Sequence, residues 1–391
     1  MKTDVLVIGS SAAGLVAATT GKRIYADKKV TVITHHKKTL IPCGIPYVFG
    51  SVESTDNNIL PAEKMFAAND IDVIYESVLA IDRKNKSVKL NNGDVIEYQK
   101  LVLGTGSLPN EPAWLKGFDL EGVYSVPKDK VYLDKMHKKV KECKKIVIIG
   151  AGFIGVELSD ELVKAGKEVT LVVKLPHILG LAFDEDVSIK AEAILKERKV
   201  NIISGVGVKE IVGTERVEGV LLDDGNMISA DAVILAMGYQ PNSVLAQNAG
   251  LATNKNGFIK VDEYMRTEDP DIFAVGDCAE KRDFVTRKPS LVMLASTACA
   301  ESRIAGMNLF KLSAIKTFSG TISIFATAIG NTGFGVVGLT ETIARQEGFD
   351  IVTGAFEGID RHPGTLSDTH SQFVKLIVGK ESGVILGGEV S

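Results

Sequence analysis

A short apolar run that breaks into closely spaced glycines and resumes as a helix occurs twice in this chain. That repetition constrains the fold more than any other feature. The first copy is Val5-Leu6-Val7-Ile8, then Gly9-Ser10-Ser11-Ala12-Ala13-Gly14, a helix-like Leu15-Val16-Ala17-Ala18, and a second strand-like run, Val30-Thr31-Val32-Ile33. The second copy, about 140 residues on, is Ile146-Val147-Ile148-Ile149, then Gly150-Ala151-Gly152-Phe153-Ile154-Gly155, a helix through Leu162, and Val169-Thr170-Leu171-Val172. Uninterrupted apolar strands of this kind belong to parallel sheets covered on both faces. Two more apolar strands end in Gly104-Thr105-Gly106 and Ala236-Met237-Gly238, a second matched pair. From Phe318 onward the texture changes to short strands and glycines, as in Thr321-Ile322-Ser323-Ile324-Phe325 and Val384-Ile385-Leu386. The fold class read from this pattern is α/β: two Rossmann-like dinucleotide-binding domains and a C-terminal α+β module.

A G-x-G-x-x-G between a strand and a helix lets backbone N–H groups and the helix N-terminus meet a pyrophosphate. The second cluster, Gly150, Gly152 and Gly155, is complete; in the first, Ser11 stands at the middle position between Gly9 and Gly14. Two such turns in one chain imply two dinucleotides, most simply a flavin and a nicotinamide with a hydride passing between them. The acidic residue expected about 20 positions on, for ribose hydroxyls, is missing from both units. The first strand ends Ile33-Thr34-His35-His36 and the second Val172-Val173-Lys174. Nothing there repels a 2′-phosphate, and Lys174 offers it a partner, so NADH or NADPH is admitted.

Other features narrow the class. Lys and Arg number 45 against 49 Asp and Glu, so no global field recruits nucleic acid or an anionic membrane. No apolar run approaches the roughly 18 residues of a membrane span, and the N-terminus lacks a signal-peptide layout, so the expected setting is cytoplasmic. The 391 residues suit two or three domains. Four cysteines, Cys43, Cys143, Cys278 and Cys299, show neither C-x-x-C nor zinc-ligand spacing, so neither a metal site nor a disulfide framework is expected. Any cysteine chemistry falls to one sulfur acting without a neighbouring one.

Four features in this order and spacing resemble the FAD-dependent pyridine nucleotide-disulfide oxidoreductases: the N-terminal cluster, Leu101-Val102-Leu103-Gly104-Thr105-Gly106-Ser107, the internal G-x-G-x-x-G, and Asp271-Ile272-Phe273-Ala274-Val275-Gly276-Asp277. The resemblance spans nearly the whole chain. It implies a discontinuous FAD domain (1–112 and 241–317), an NAD(P)H domain (113–240) and an interface domain (318–391) through which a homodimer forms. FAD would then be held by Gly9, Ser10, Ser11, Ala12, Ala13 and Gly14 of the first turn. Thr34, Thr105, Gly106 and Ala295 would add to that site, and Asp277 would hydrogen-bond the flavin ribityl chain. NAD(P)H would be held by Gly150, Gly152, Ile154, Gly155, Lys174 and Gly238. Glu157 would lie near the nicotinamide, and Phe153 stands where the family often has a tyrosine that gates the flavin face.

Ile41-Pro42-Cys43-Gly44-Ile45-Pro46-Tyr47 follows the first unit directly and resembles the single-cysteine branch of that family. That branch holds CoA-disulfide reductases, NADH oxidases and peroxidases, and NAD(P)H polysulfide or sulfur reductases. A single thiolate can cycle through a mixed disulfide, a persulfide or a sulfenic acid. Peroxidases and water-forming oxidases of the branch usually carry a histidine in the first glycine cluster. Ser11 occupies that place, which tilts the expectation toward a small thiol or disulfide substrate rather than oxygen. His35-His36 and Lys37-Lys38 read as a solvated basic corner that, with Arg23 and Thr39, could receive a substrate such as CoA. Two departures from CoA-disulfide reductases stand out. Pro42 replaces an asparagine before the cysteine, and Arg361-His362-Pro363-Gly364 replaces a Tyr-Tyr-Pro-Gly stretch, so that His362 is the substitute for the proton-donating tyrosine. The activity expected is reduction of a disulfide, persulfide or polysulfide at Cys43. The alternatives are an NADH oxidase working through a Cys43 sulfenate, and a redox-sensing flavoprotein without fast turnover. The family usually continues for about 50 residues beyond Val384-Ile385-Leu386, so the third domain is expected to be shorter here.

Overall fold

The computed structural model describes residues 1–391. Each glycine-bearing unit builds a five-stranded, all-parallel sheet with its glycine-terminated strand in the middle. In the first, the order is Ile272–Ala274, Lys100–Leu103, Val5–Ile8, Val30–Thr34, Asp72–Tyr75. In the second it is Val123–Ser125, Ala232–Leu235, Lys145–Ile149, Glu168–Val173, Asn201–Ser204. Apart from Lys100 and Lys145 at their starts, the central strands are buried apolar runs because helices and smaller sheets cover both faces. Gly104–Gly106 and Ala236–Gly238 thus follow equivalent strands, each beside the strand that enters a glycine turn.

The two sheets come from three stretches of chain, since Ile272–Ala274 returns to the first after the second is complete. The two crossings between them, Ser107–Pro109 and Tyr239–Pro241, pair antiparallel. Each unit also carries a three-stranded antiparallel sheet: Val78–Asp82, Ser87–Leu90 and Val95–Glu97 in the first, Val208–Gly213, Val217–Leu222 and Met227–Ser229 in the second. The sequence reading did not anticipate this pair. Their strands mix exposed and buried positions, so they lack the uninterrupted apolar runs that marked the parallel strands.

The helix of the first turn, Ala12–Ile24, lies against Ala295–Met307 at close range. A Cβ on Gly306 would come within 2.8 Å of Thr20 Cβ and 3.0 Å of the Ala17 carbonyl oxygen, so only glycine lets the two helices meet. The C-terminal domain is a five-stranded antiparallel sheet ordered Phe325–Ile329, Thr332–Gly338, Ile385–Val390, Ser371–Gly379, Ile351–Ile359. One face packs on the second unit: Ile329, Phe334, Val336 and Phe373 join the same apolar core as Ile148, Val156 and Leu171. Leu40, Ile45, Val48 and Phe49 belong to that core as well. The segment bearing Cys43 is therefore fixed by the second unit, although it follows the first in sequence. No helix is long and apolar enough to cross a membrane.

Candidate functional site

Both glycine turns open onto one cleft of about 1960 Å³. Their close contacts match. A Cβ on Gly14 would overlap the Gly9 carbonyl oxygen, and one on Gly155 the Gly150 carbonyl oxygen. A Cβ on Gly9 would strike Gly104, and one on Gly150 would strike Ala236, which explains why the strand-end motifs recur with the turns. The middle positions, Ser11 and Gly152, both stand at the N-cap of their helices in extended conformation and differ only in side chain, with open space where a Cβ on Gly152 would point. Neither helix has a side-chain cap or an acidic residue in its first turn, so the leading N–H groups are left to a ligand, as an anionic diphosphate requires. The residues present therefore fit two dinucleotides.

At the first turn, Ser10 Oγ lies 3.0 Å from Thr34 Oγ1 and 2.7 Å from Thr39 Oγ1, tying the turn to the end of the second strand. Thr39, expected on the substrate side, thus belongs to the wall of the first turn. His35 and His36 also line this wall, with ring centroids 3.8 Å apart. His36 is half-buried and approaches Asp129 at 3.7 Å. The solvated corner read from the sequence holds for His35, Lys37 and Lys38, which are exposed, and fails only at His36, where Asp129 of the following linker comes close. Burial, then the neighbouring His35, hold the His36 imidazole below its usual pKa. Thr105, Gly106 and Ala295 line the same cleft, and Thr105 Oγ1 donates to the Asn242 carbonyl at 2.6 Å.

Asp277 reaches the cleft between Ser107 Oγ at 2.7 Å and Lys128 Nζ at 2.6 Å. Burial works to raise its pKa, but the Lys128 ammonium and both hydrogen bonds bring it below the usual carboxylate value. Lys128 was invisible to motif reading, since it sits in a linker with no recurring pattern.

Around the second turn, Gly150, Gly152, Phe153, Ile154, Glu157, Lys174 and Gly238 all line the cleft. Phe153 stacks on Phe325 of the C-terminal domain, with centroids 5.2 Å apart and planes at 13°. Glu157 accepts a hydrogen bond from Thr327 Oγ1 at 2.7 Å, and the Tyr47 hydroxyl lies within hydrogen-bonding reach. Burial, reinforced by nearby Glu161, outweighs those bonds and pushes the Glu157 carboxyl up to about 7. Lys174 is exposed at the strand end and shares its corner with Lys209 and Asp223.

Cys43 lies in a single 3-10 turn, Pro42–Gly44, and the turn that follows it, Pro46–Phe49, packs on the helix Phe153–Lys164. It is the one cysteine on the cleft wall; Cys278 is fully buried, and Cys143 and Cys299 lie elsewhere. The residue is open to the cleft, yet protein fills most of the surrounding volume. Desolvation, then the Glu157 carboxylate, raise its thiol pKa, while Lys128 pulls it down. Gly14 and Gly155 stand behind the turns and do not line the cleft, consistent with their helix-packing contacts. Arg23 is also off the wall, in the last turn of its helix, because that turn points away from the glycines. His362 is exposed in the connection between Ile351–Ile359 and Ser371–Gly379, so it does not reach this chain's own Cys43 cleft.

Comparison with known proteins agrees with this geometry. Residues 3–302 match the pyridine nucleotide-disulphide oxidoreductase family, and residues 324–391 match its dimerisation domain. The chain is 33% identical over 403 residues to an NADH oxidase of Methanocaldococcus jannaschii, covering 98% of this chain and 87% of that one. It is 32% identical to an NAD(P)H coenzyme A polysulfide/persulfide reductase of Pyrococcus horikoshii, covering 100% of this chain and 87% of the relative. Among solved structures, an NAD-dependent persulfide reductase from A. fulgidus superposes with a TM-score of 0.92 at 32% identity, covering 100% of this chain and 74% of that one. Two matched dinucleotide turns, a cysteine on their common cleft and a dimerisation module together place the chain in the pyridine nucleotide-disulphide oxidoreductase family, as an FAD-dependent NAD(P)H oxidoreductase.

Proposed function

We propose that the chain reduces a low-molecular-weight disulfide, persulfide or polysulfide, with CoA disulfide as the model substrate, using Cys43 as the reacting sulfur. The observation that carries this reading is the solitary position of Cys43 on the cleft shared by both turns. Bound FAD supplies a two-electron relay between a nicotinamide hydride and a sulfur–sulfur bond. The Cys43 thiolate attacks one sulfur of the substrate and forms a mixed disulfide, and the other sulfur leaves as a thiolate that takes up a proton. Two electrons originating from NAD(P)H then cleave the mixed disulfide, releasing the second thiol and restoring Cys43. Glu157, holding its proton near neutral pH beside Cys43, supports proton handling at this sulfur.

The cleft offers oxygen chemistry little help. Its only histidines, His35 and His36, lie with the first turn's strand end rather than on the helix cap, where Ser11 stands. An oxidase working through a Cys43 sulfenate is the competing reading, favoured by the name of the M. jannaschii relative. Lys174 and Lys209 at the second strand end support NADPH as well as NADH. The outer face of the C-terminal sheet exposes Val337, Val352, Phe356, Leu376 and Val390, an apolar surface that supports a homodimer. Any part for His362 in sulfur chemistry requires that second copy. Four unpaired cysteines suit a reducing, cytoplasmic setting.

The test is anaerobic NAD(P)H oxidation with CoA disulfide or inorganic polysulfide, set against aerobic oxidation without them. Sulfur-dependent turnover at least about tenfold above the oxygen rate is expected. Equal or faster oxygen turnover, with stoichiometric peroxide or water, would hand the site to the oxidase.

A further inference from the structure

Behind the Gly276–Cys278 turn lie two fully buried side chains of opposite charge that the cleft does not use. Glu301, on the helix Ala295–Met307, is 0% exposed, and Lys281, just past the turn, is 3% exposed. Glu301 Oε2 accepts the Gly276 N–H at 2.7 Å. Lys281 Nζ donates to the Gly276 carbonyl at 3.1 Å and to the Ala279 carbonyl at 2.7 Å. Both main-chain polar groups of one residue are thus gripped by charges of the matching sign. The residue they grip is the one before Asp277.

The pair is poorly arranged for its own sake. Lys281 Nζ stands 3.8 Å from Glu301 Oε1, and that oxygen has no hydrogen-bond partner. Burial pushes the Glu301 carboxyl up to about 7 despite Lys281. Replacing a buried ion pair with apolar side chains of similar volume is often neutral or stabilising, so stability alone gives little reason to keep one. What the two groups do well is aim at the turn. Gly276 adopts φ +78°, and a Cβ there would come within 2.8 Å of Ala13 Cβ, so the turn is pressed onto the first glycine helix. A small rotation of the Gly276 peptides would swing Asp277 away from Ser107 and Lys128.

We propose that Glu301 and Lys281 form a positioning pair that clamps the Gly276 main chain and thereby holds Asp277 in register for the flavin polyol chain. The proposal rests on the reading that Asp277 contacts FAD, carried by the family resemblance.

The test measures FAD dissociation constants by titrating apoprotein with FAD and following flavin fluorescence, beside the thermal midpoint of each full-length apoprotein. The double variant Lys281→Met/Glu301→Leu removes both charges at similar volume. Its apo midpoint is expected to equal or exceed the parent's, while FAD binds about tenfold more weakly and the flavin visible band and midpoint potential shift. Glu301→Gln keeps an acceptor for the Gly276 N–H and is expected to bind FAD within about threefold of the parent. A double variant that binds FAD like the parent, with an unshifted band, overturns the clamp when Asp277→Ala weakens FAD. Parent-like FAD binding by Asp277→Ala overturns the underlying reading of Asp277, and the proposal with it.

Discussion

The two glycine turns share a backbone and differ in almost everything attached to it. Each third glycine lies against its first carbonyl, and each first glycine lies against a strand-end motif on the neighbouring strand. Around the first turn the chain returns to build a wall: the Ala295–Met307 helix, Asp277, and the hydroxyls of Ser10, Thr34 and Thr39. The second turn faces open space at Gly152, with an exposed lysine at its strand end. Close backbone packing makes a dinucleotide site, and the surrounding side chains decide whether its occupant is retained or exchanged. We propose on this ground that the first turn retains FAD and the second exchanges NAD(P)H.

The largest expected effects test that division. Gly14→Ala drives a methyl into the Gly9 carbonyl, and the purified protein should lose its yellow colour, with FAD affinity down about a hundredfold or more. Gly155→Ala makes the equivalent clash at Gly150. It should keep its flavin spectrum while the NAD(P)H KM rises at least about tenfold. Loss of flavin from both variants alike would break the comparison.

A smaller effect is expected from the strand end of the second unit. Lys174→Glu should raise the KM for NADPH by about tenfold or more and leave that for NADH within about threefold, because only NADPH carries the 2′-phosphate. Unchanged KM values for both coenzymes would show that Lys174 is merely a solvated lysine, and parallel rises that it does not read the 2′-phosphate.

How much of this was legible in the sequence follows the same division. The glycine turns and strand-end motifs could be read because a backbone constraint leaves only glycine, wherever the chain goes next. Cys43 could be read from its count and its neighbours. Lys128, Thr327 and Phe325 could not, since each reaches the site from a linker or another domain through contacts that no spacing encodes, and Tyr47, though inside the Cys43 segment, carried no sign that it would meet Glu157. His35 is exposed as its neighbours suggest, whereas His36 is half-covered because a dipeptide beside lysines gives no sign that Asp129, more than ninety positions away, will approach it. Arg23 and His362 were chosen for charge and local analogy, and neither lines this chain's cleft.

Electrostatics at Cys43 provide the finest discrimination. Glu157 raises the thiol pKa and Lys128 lowers it. Iodoacetamide labelling of Cys43 near pH 8 should therefore run about two- to fivefold faster in Glu157→Gln and slower by a similar factor in Lys128→Met. The same glutamate has a stability signature. Its folded pKa of about 7 exceeds the unfolded value of 4.5, so the folded state holds the extra proton between them. Its contribution to stability then falls as pH rises through that window. The stability of Glu157→Gln relative to the parent should climb by roughly 3 kcal/mol from pH 4.5 to just above 7 and then level off. A flat difference in urea midpoints across that range would remove Glu157 as a proton-holding group.

The central claim is that electrons from NAD(P)H leave the protein through one sulfur. Its most direct test is anaerobic stopped-flow of flavin-loaded Cys43→Ser, mixed first with NADPH and then with CoA disulfide or inorganic polysulfide. The account predicts flavin bleaching at a rate close to the parent's, followed by no reoxidation by either sulfur acceptor. Reoxidation at the parental rate would show that Cys43 is not the exit.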